Sequence, residues 1–389
     1  MIPYARQDIS EADIEAVIDA LRSDFITQGP AVEAFEAALS GYCGASHAVA
    51  MNSATSALHL ACLALGVGPG DFVWTSPITF VATANCAIHC GAQVDFVDID
   101  PLTWNLSVER LAEKLAIAEA EARLPKVVIP VHFGGQPCEM EGVGRLADRY
   151  GFKVIEDASH AVGARYQDDP VGSGRFSDIT VFSFHPVKII TTGEGGMAMT
   201  QDARLAASMR RLRSHGITRN AAEMTRAPDG PWHYEQVELG FNHRMTDVQA
   251  ALGSSQLKRL DAFVARRHQI ARRYDELLSG DPVATQARSP DSLSSLHLYP
   301  VRLRLDRIRP SRREVFQALR QSGIGVNVHY IPVYHQPFYR QMGFPPGYCP
   351  EAEKYYAQAL SLPMFPALTD AQQDEVAGAL RAAIEHVHA

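Results

Sequence analysis

The chain has 389 residues, 46% hydrophobic and 21% charged, enough for two domains with substantial cores. Its 36 basic and 44 acidic side chains leave a net charge of −8, which offers nucleic acid no basic field. No apolar run is long enough to span a membrane, so neither nucleic acid nor membrane is an expected partner. The opening Met-Ile-Pro-Tyr-Ala-Arg-Gln-Asp lacks the charged-then-apolar order of a secretory signal. Six scattered cysteines suit reduced thiols, so a cytoplasmic location is expected. Cys86 and Cys90 lie one helical turn apart, but two ligands are too few for a site, and no metal is expected.

Ser10 reads as the N-cap of a first helix, with Asp13 at the capping-box position. Ile14, Val17, Ile18 and Leu21 then follow at helical spacing. From about residue 47 the pattern alternates: strand 48–51, helix 52–65, strand 72–76, helix 79–90, and strands 94–97 and 126–131. A helix at 139–150 and strands at 153–157 and 179–184 continue it. Such alternation predicts an α/β fold with a mainly parallel sheet between helices. Segment 196–200 follows Phe184 too closely for a crossover helix, which leaves antiparallel pairing open to it. A long helical stretch runs from Thr246 to Leu278, followed by a Ser-rich connection at 280–295. Strand 297–303, helix 312–322, strand 325–330 and a last helix, 370–386, then describe a smaller α+β unit. The expected domains are 1–255 and 256–389.

In open α/β sheets ligands bind beyond the carboxyl ends of the strands. Four polar features fall there. Asn52-Ser-Ala-Thr-Ser56 joins a strand to a helix, where it can free first-turn N–H groups for a phosphate or simply cap the helix. Asp157 ends an apolar strand, where a carboxylate needs a facing cation or donor; it too could be a cap. Lys188 follows the next strand and Ser183. Desolvation there would leave a nucleophilic amine, whereas a packed stem with its head in water is the plain alternative. Phe80 is either core or a stacking plate. Together, cradle, carboxylate, lysine and plate point to pyridoxal phosphate (PLP), with Asp157 on the ring nitrogen and Lys188 as the covalent anchor.

Several motifs carry a resemblance: Asn-Ser-Ala-Thr-Ser at 52, Glu-Asp-Ala-Ser-His at 156, Ser-Phe-His-Pro-Val-Lys at 183 and Gly-Phe-Asn-His-Arg-Met-Thr-Asp at 240. They resemble those of the PLP-dependent nucleotide-sugar aminotransferases, the fold type I group called the DegT/DnrJ/EryC1/StrS family, and the likeness runs from Tyr4 to the last helix. That resemblance implies Lys188 and Asp157 as catalytic residues. His160 is implied at the ring or its hydroxyl, Phe80 on one ring face, and Ser53, Ala54, Thr55 and Ser183 around the phosphate. Asn242 would reach the phosphate from the second subunit of a homodimer with shared active sites. For the nucleotide sugar the matching positions are Tyr4, Asp24, Phe25, Ile26, Thr27, Asn327, Val328, His329, Tyr330 and Tyr339, with Ala54, Ser183 and Asn242 also in contact. Arg219 and Arg244 are candidates for the diphosphate. Many relatives have tyrosine at His243, and His185 is read as a structural support for the lysine's loop.

His160, His-Pro-Val-Lys and Val-His-Tyr-Ile-Pro at 328–332 are most similar to the pseudaminic acid branch. This implies L-glutamate as amino donor and a UDP-4-keto-6-deoxy-N-acetylhexosamine as acceptor. Another nucleotide 4-keto sugar, of bacillosamine or perosamine type, and a non-catalytic sugar-binding regulator are the alternatives. Sugar dehydration is disfavoured because the relevant relatives replace the lysine with histidine. Gly66-Val-Gly-Pro-Gly70 and Gly172-Ser-Gly174 do not complete a dinucleotide fingerprint.

Overall fold

The structure is a computed structural model that describes residues 1–385. Seven short strands form the main sheet: β1 (His47–Met51), β2 (Phe72–Thr75), β3 (Gln93–Phe96), β4 (Val127–Ile129), β5 (Lys153–Asp157), β6 (Ile179–Ser183) and β7 (Gly196–Thr200). Their order across the sheet is β1-β7-β6-β5-β4-β2-β3. Strands β2 to β6 pair in parallel, while β7 runs antiparallel to β6 and β1. The short link after Phe184 leaves no room for a crossover helix, which is why β7 reverses.

The strands are mostly buried because both faces are covered. Val49 and Met51 pack with Leu58 and Ala61 of helix Ala54–Ala64. Ala48 and Ala50 point the other way, into a core with Phe35 and Leu39 of helix Pro30–Cys43. This is the α/β architecture expected from the sequence, a mainly parallel sheet between helices.

A second core gathers the antiparallel sheet of Val283–Thr285, Tyr299–Leu303 and Ala359–Leu362 with helices Arg312–Gln321 and Asp370–Glu385. Ile2 belongs to that core, and its backbone is clasped by Gly323 O (2.8 Å) and Gly325 N–H (2.6 Å). That clasp explains one departure from expectation. Segment 325–330 is not a strand but makes a single bridge, Asn327 to Ser361, and Ala359–Leu362 supplies the third strand instead. The expected connection at 280–295 contains strand Val283–Thr285. The long helix after Thr246 is two helices, Asp247–Leu257 and Leu260–Leu277. Of the expected last helix, His386 lies outside the described residues.

The first helix, Glu11–Arg22, has the expected capping box between Ser10 and Asp13. Its apolar stripe, however, faces outward: Ile14, Ile18 and Leu21 are exposed, whereas Asp13 is buried. Asp13 Oδ2 accepts from Gln256 Nε2 (2.7 Å) and Arg259 Nη2 (2.5 Å), and Arg259 sits at the break between the two long helices. The break is thus held by an ion pair, without the glycine or proline a sequence would show. Arg259→Ala leaves a buried carboxylate without its cation and should lower unfolding free energy by ~3 kcal/mol in a denaturant titration.

Candidate active site

The carboxyl ends of β1, β5 and β6 and the start of β7 open on one cavity of about 630 Å³. Segment 327–331 forms part of its wall. At β1, Ser53 is the N-cap of helix Ala54–Ala64, its side chain accepting from Ser56 N–H (3.1 Å). The capping reading is therefore correct for Ser53, and it leaves the N–H groups of Ala54 and Thr55 at the helix start without an intrahelical partner. Gly196 lets this turn press on β7, since a Cβ there would lie 2.4 Å from Ala54 N. Ser183, opposite Gly196 in the ladder, and Phe80, an exposed ring, also line the cavity. Phe80 is therefore not core.

Asp157, at the end of β5, is buried with both carboxylate oxygens engaged. Oδ1 accepts from Ser159 N–H (3.1 Å) and Ser159 Oγ (2.6 Å), and Oδ2 accepts from Thr83 Oγ1 (2.6 Å). These three bonds use three of about four acceptor sites, so one remains for a donor in the cavity.

Lys188 is carried on a tightly bonded loop. Its N–H donates to His185 O (2.9 Å), and Thr191 Oγ1 and Thr192 N–H both return to Phe184 O (2.8 and 3.0 Å). Buried Ile189 and Ile190 pin the next turn. Desolvation lowers the pKa of the Lys188 amine to about 8, opposed in part by the negative charge of Asp157. Lys188 is half-buried and lines the cavity.

His160 also lines the cavity, and Gly134 N–H donates to its Nδ1 (3.3 Å). The proton of a neutral ring therefore sits on Nε2, 3.2 Å from the Tyr330 hydroxyl. Burial, then the charges of Lys188 and His329, hold the His160 pKa well below its ordinary value. Burial likewise takes His329 down to about 3, with Lys188 adding to the effect. Both rings are uncharged at neutral pH.

Tyr4, Asn327, Val328, His329 and Tyr330 line the same cavity as the lysine. Other expected contacts lie elsewhere. Tyr339 is buried in the core against Phe96, its hydroxyl donating to Asn85 Oδ1 (2.5 Å). Asp24 to Thr27 form an exposed loop tied to the 246–247 backbone, and Asn242 is exposed; none of these lines the cavity of its own chain. Arg219 and Arg244 do not line it either, and no arginine does among the described residues. The His185 side chain is exposed at the cavity wall; only its backbone supports the lysine's loop. Thr79, Thr83, Ser159, Glu194, Ile331 and Gln336 line the cavity without having been singled out from sequence. Ser159 had a signal, standing two residues after an aspartate, the spacing of an Asx-type turn. Among the described residues no cluster of His, Cys, Asp or Glu could hold a metal.

These residues fit pyridoxal phosphate: first-turn N–H groups with hydroxyls for a phosphate, one amine of lowered pKa, and a carboxylate with an acceptor site to spare.

Comparison with known proteins agrees. The profile of the DegT/DnrJ/EryC1/StrS aminotransferase family matches residues 7–381. The UDP-4-amino-4,6-dideoxy-N-acetyl-beta-L-altrosamine transaminase of Campylobacter jejuni is 39% identical over 364 residues, covering 93% of this chain and 92% of that one. A sugar aminotransferase of Streptococcus pneumoniae in its PMP form superposes with a TM-score of 0.90 at 32% identity, covering 99% of both chains. Helicobacter pylori PseC, an aminotransferase involved in the biosynthesis of pseudoaminic acid, gives 0.90 at 30% identity and the same coverage.

Only the uncharged amine condenses with an aldehyde. With its pKa lowered, the rate at which cofactor-free chain takes up PLP at Lys188 should rise with pH through about 8 and then level off. Stopped-flow absorbance across pH would show this; an inflection at the ordinary lysine value contradicts the desolvated site.

Proposed function

The chain belongs to the DegT/DnrJ/EryC1/StrS aminotransferase family and is a PLP-dependent sugar aminotransferase; from that premise we propose its substrates. The acceptor is a UDP-4-keto-6-deoxy-N-acetylhexosamine, namely UDP-2-acetamido-2,6-dideoxy-β-L-arabino-hex-4-ulose, and the donor is L-glutamate. The product is then the aminosugar nucleotide named in the Campylobacter relative, UDP-4-amino-4,6-dideoxy-N-acetyl-β-L-altrosamine. The observation that carries the reading is the desolvated Lys188 amine sharing a cavity with the three-donor carboxylate of Asp157.

When bound, PLP supplies a carbonyl that takes up the amino group and a ring that accepts electrons as a neighbouring C–H bond breaks. The chain supplies the rest. Ala54 and Thr55 N–H groups, with the Ser53 and Ser183 hydroxyls, hold the phosphate at the positive end of a helix. Asp157 keeps the ring nitrogen protonated. Lys188 would hold the cofactor and, as a free amine, would carry a proton at its Nζ to and from the reacting carbon. Phe80 covers one ring face, while His160 offers a neutral Nε2–H at a fixed position. Tyr4, Asn327, His329 and Tyr330 meet the sugar.

The site is completed by a second copy of the chain. Phe25 and Ile26 are exposed beside the segment that carries Asn242, joined through Asp247 N–H to Ile26 O (3.0 Å) and the bridge between Thr27 and Thr246. Ile14, Ile18 and Leu21 extend this apolar surface along the first helix, and Trp232 and Leu239 are exposed in the segment before Asn242. Such a surface supports a homodimer in which Asn242 enters the partner's cavity. Six buried free thiols support a cytosolic enzyme.

Purified protein with PLP should be yellow, and L-glutamate should bleach it; a coloured protein indifferent to glutamate would be a regulator. Lys188→Ala should abolish turnover, read by mass spectrometry of UDP-4-keto hexoses incubated with glutamate. Across a panel of such sugars the L-arabino acceptor should give the highest kcat/KM, and preference for another configuration would overturn the acceptor assignment.

The shared site makes a separate prediction. Lys188→Ala and Asn242→Ala proteins, each impaired alone, should regain activity when mixed and allowed to exchange subunits, because one site of each mixed dimer carries both native residues. A mixture no more active than the sum of its parts rules out sharing.

A further inference from the structure

Asp157 does not meet its donors by chance of burial alone. Thr83 lies in the first turn of helix Ala82–His89 and Thr79 in the loop before it, and both are almost fully buried, at 1% and 3% exposure. Thr83 has one hydroxyl proton, and the 2.6 Å contact to a carboxylate, which can only accept, commits it to Asp157 Oδ2. The 2.7 Å contact between Thr79 and Thr83 must then run from Thr79 to Thr83, although either oxygen could in principle donate. The result is a directed chain, Thr79 O–H to Thr83 O–H to Asp157. A hydroxyl that is itself accepting a hydrogen bond donates more strongly, and in a buried site such bonds reinforce one another.

We propose that Thr79 and Thr83 are positioning residues, a two-hydroxyl relay that fixes the Asp157 carboxylate in place. The inference rests on the reading that Asp157 faces the ring nitrogen of PLP. A carboxylate pinned through Oδ2 stays aimed at the ring proton, and one freed to rotate holds that proton less firmly. Thr79 also precedes Phe80 directly, so the same bonds tie the loop bearing the ring plate to the carboxylate on the neighbouring element.

The test uses the intact chain loaded with PLP carrying nitrogen-15 in its ring, whose chemical shift reports protonation of that nitrogen directly. In Thr83→Val, which keeps the shape and removes the hydroxyl, the ring nitrogen should lose its proton about one pH unit lower than in the native chain. PLP should also bind about tenfold more weakly. Thr83→Ser should restore both, and Thr79→Val should shift both in the same direction by less. A native nitrogen-15 titration and native PLP affinity in Thr83→Val overturn the relay. Asp157→Asn separates the two levels: if it too leaves the titration unchanged, the placement of the ring nitrogen is wrong, and if it alone shifts it, only the relay is. Should Thr83→Val fail to fold, Thr79→Val decides: a native titration and affinity there overturn the relay, since Thr79 does not touch Asp157.

Discussion

A lysine amine whose pKa is lowered by desolvation, in the same cavity as a buried carboxylate held by three donors, is the arrangement on which the rest of this structure depends. Desolvation alone would expel such an ammonium or neutralise it, and the nearby negative charge of Asp157 only partly opposes that. The balance leaves an amine that is reactive near neutral pH. To hold it, the chain needs neighbouring strand ends at one edge. Asp157 closes β5 level with Val181 of β6, and Lys188 follows β6 by a few residues. The reversed strand β7 returns the chain to that edge at Gly196, where the missing Cβ lets the start of helix Ala54–Ala64 sit directly upon it. Parallel order places the carboxylate and the amine; the single antiparallel strand places the anion-binding helix.

Much of this was legible in the sequence because strand ends and caps are local. Buried strands announce themselves as apolar runs, and the polar residue that ends each run is at the ligand edge by construction. Ser53, Asp157, Ser183 and Lys188 could be read that way from their immediate neighbours. What was not legible depends on contacts distant in sequence. Segment 325–330 has the composition of a strand, but the N–H of Gly325 that opens it is taken up by Ile2, more than three hundred residues away, and only Asn327 pairs with Ser361. The break between the two long helices is set by Arg259 turning toward Asp8 and Asp13. Thr79 and Thr83 look like ordinary helix-start residues until the fold brings Asp157 within 2.6 Å. The outward stripe of the first helix shows the limit most clearly: period 3.6 marks a face that avoids water, and does not say whether this chain or another covers it.

On the proposed reading the cavity must handle two anions, a dicarboxylate and a nucleotide diphosphate. Among its described lining residues the one lysine or arginine is Lys188, the proposed anchor of the cofactor. His160 and His329 are kept neutral by burial, and no arginine lines the wall. Neutral imidazole, amide and phenol groups suit a sugar, whose hydroxyls both donate and accept, and they discriminate by geometry instead of charge. Discrimination of that kind is steep, since a misplaced hydroxyl leaves a buried donor unmatched. The cations for the anionic ends must then come from outside this chain's own wall. The proposed second copy supplies the segment around Asn242, which carries Arg244 two residues on and Arg219 and Arg226 in the exposed stretch before it. On this account the dimer is a chemical requirement of the site. In the proposed dimer one chain would provide the reactive amine and a wall without arginine, and its neighbour would provide the positive charge that this wall lacks.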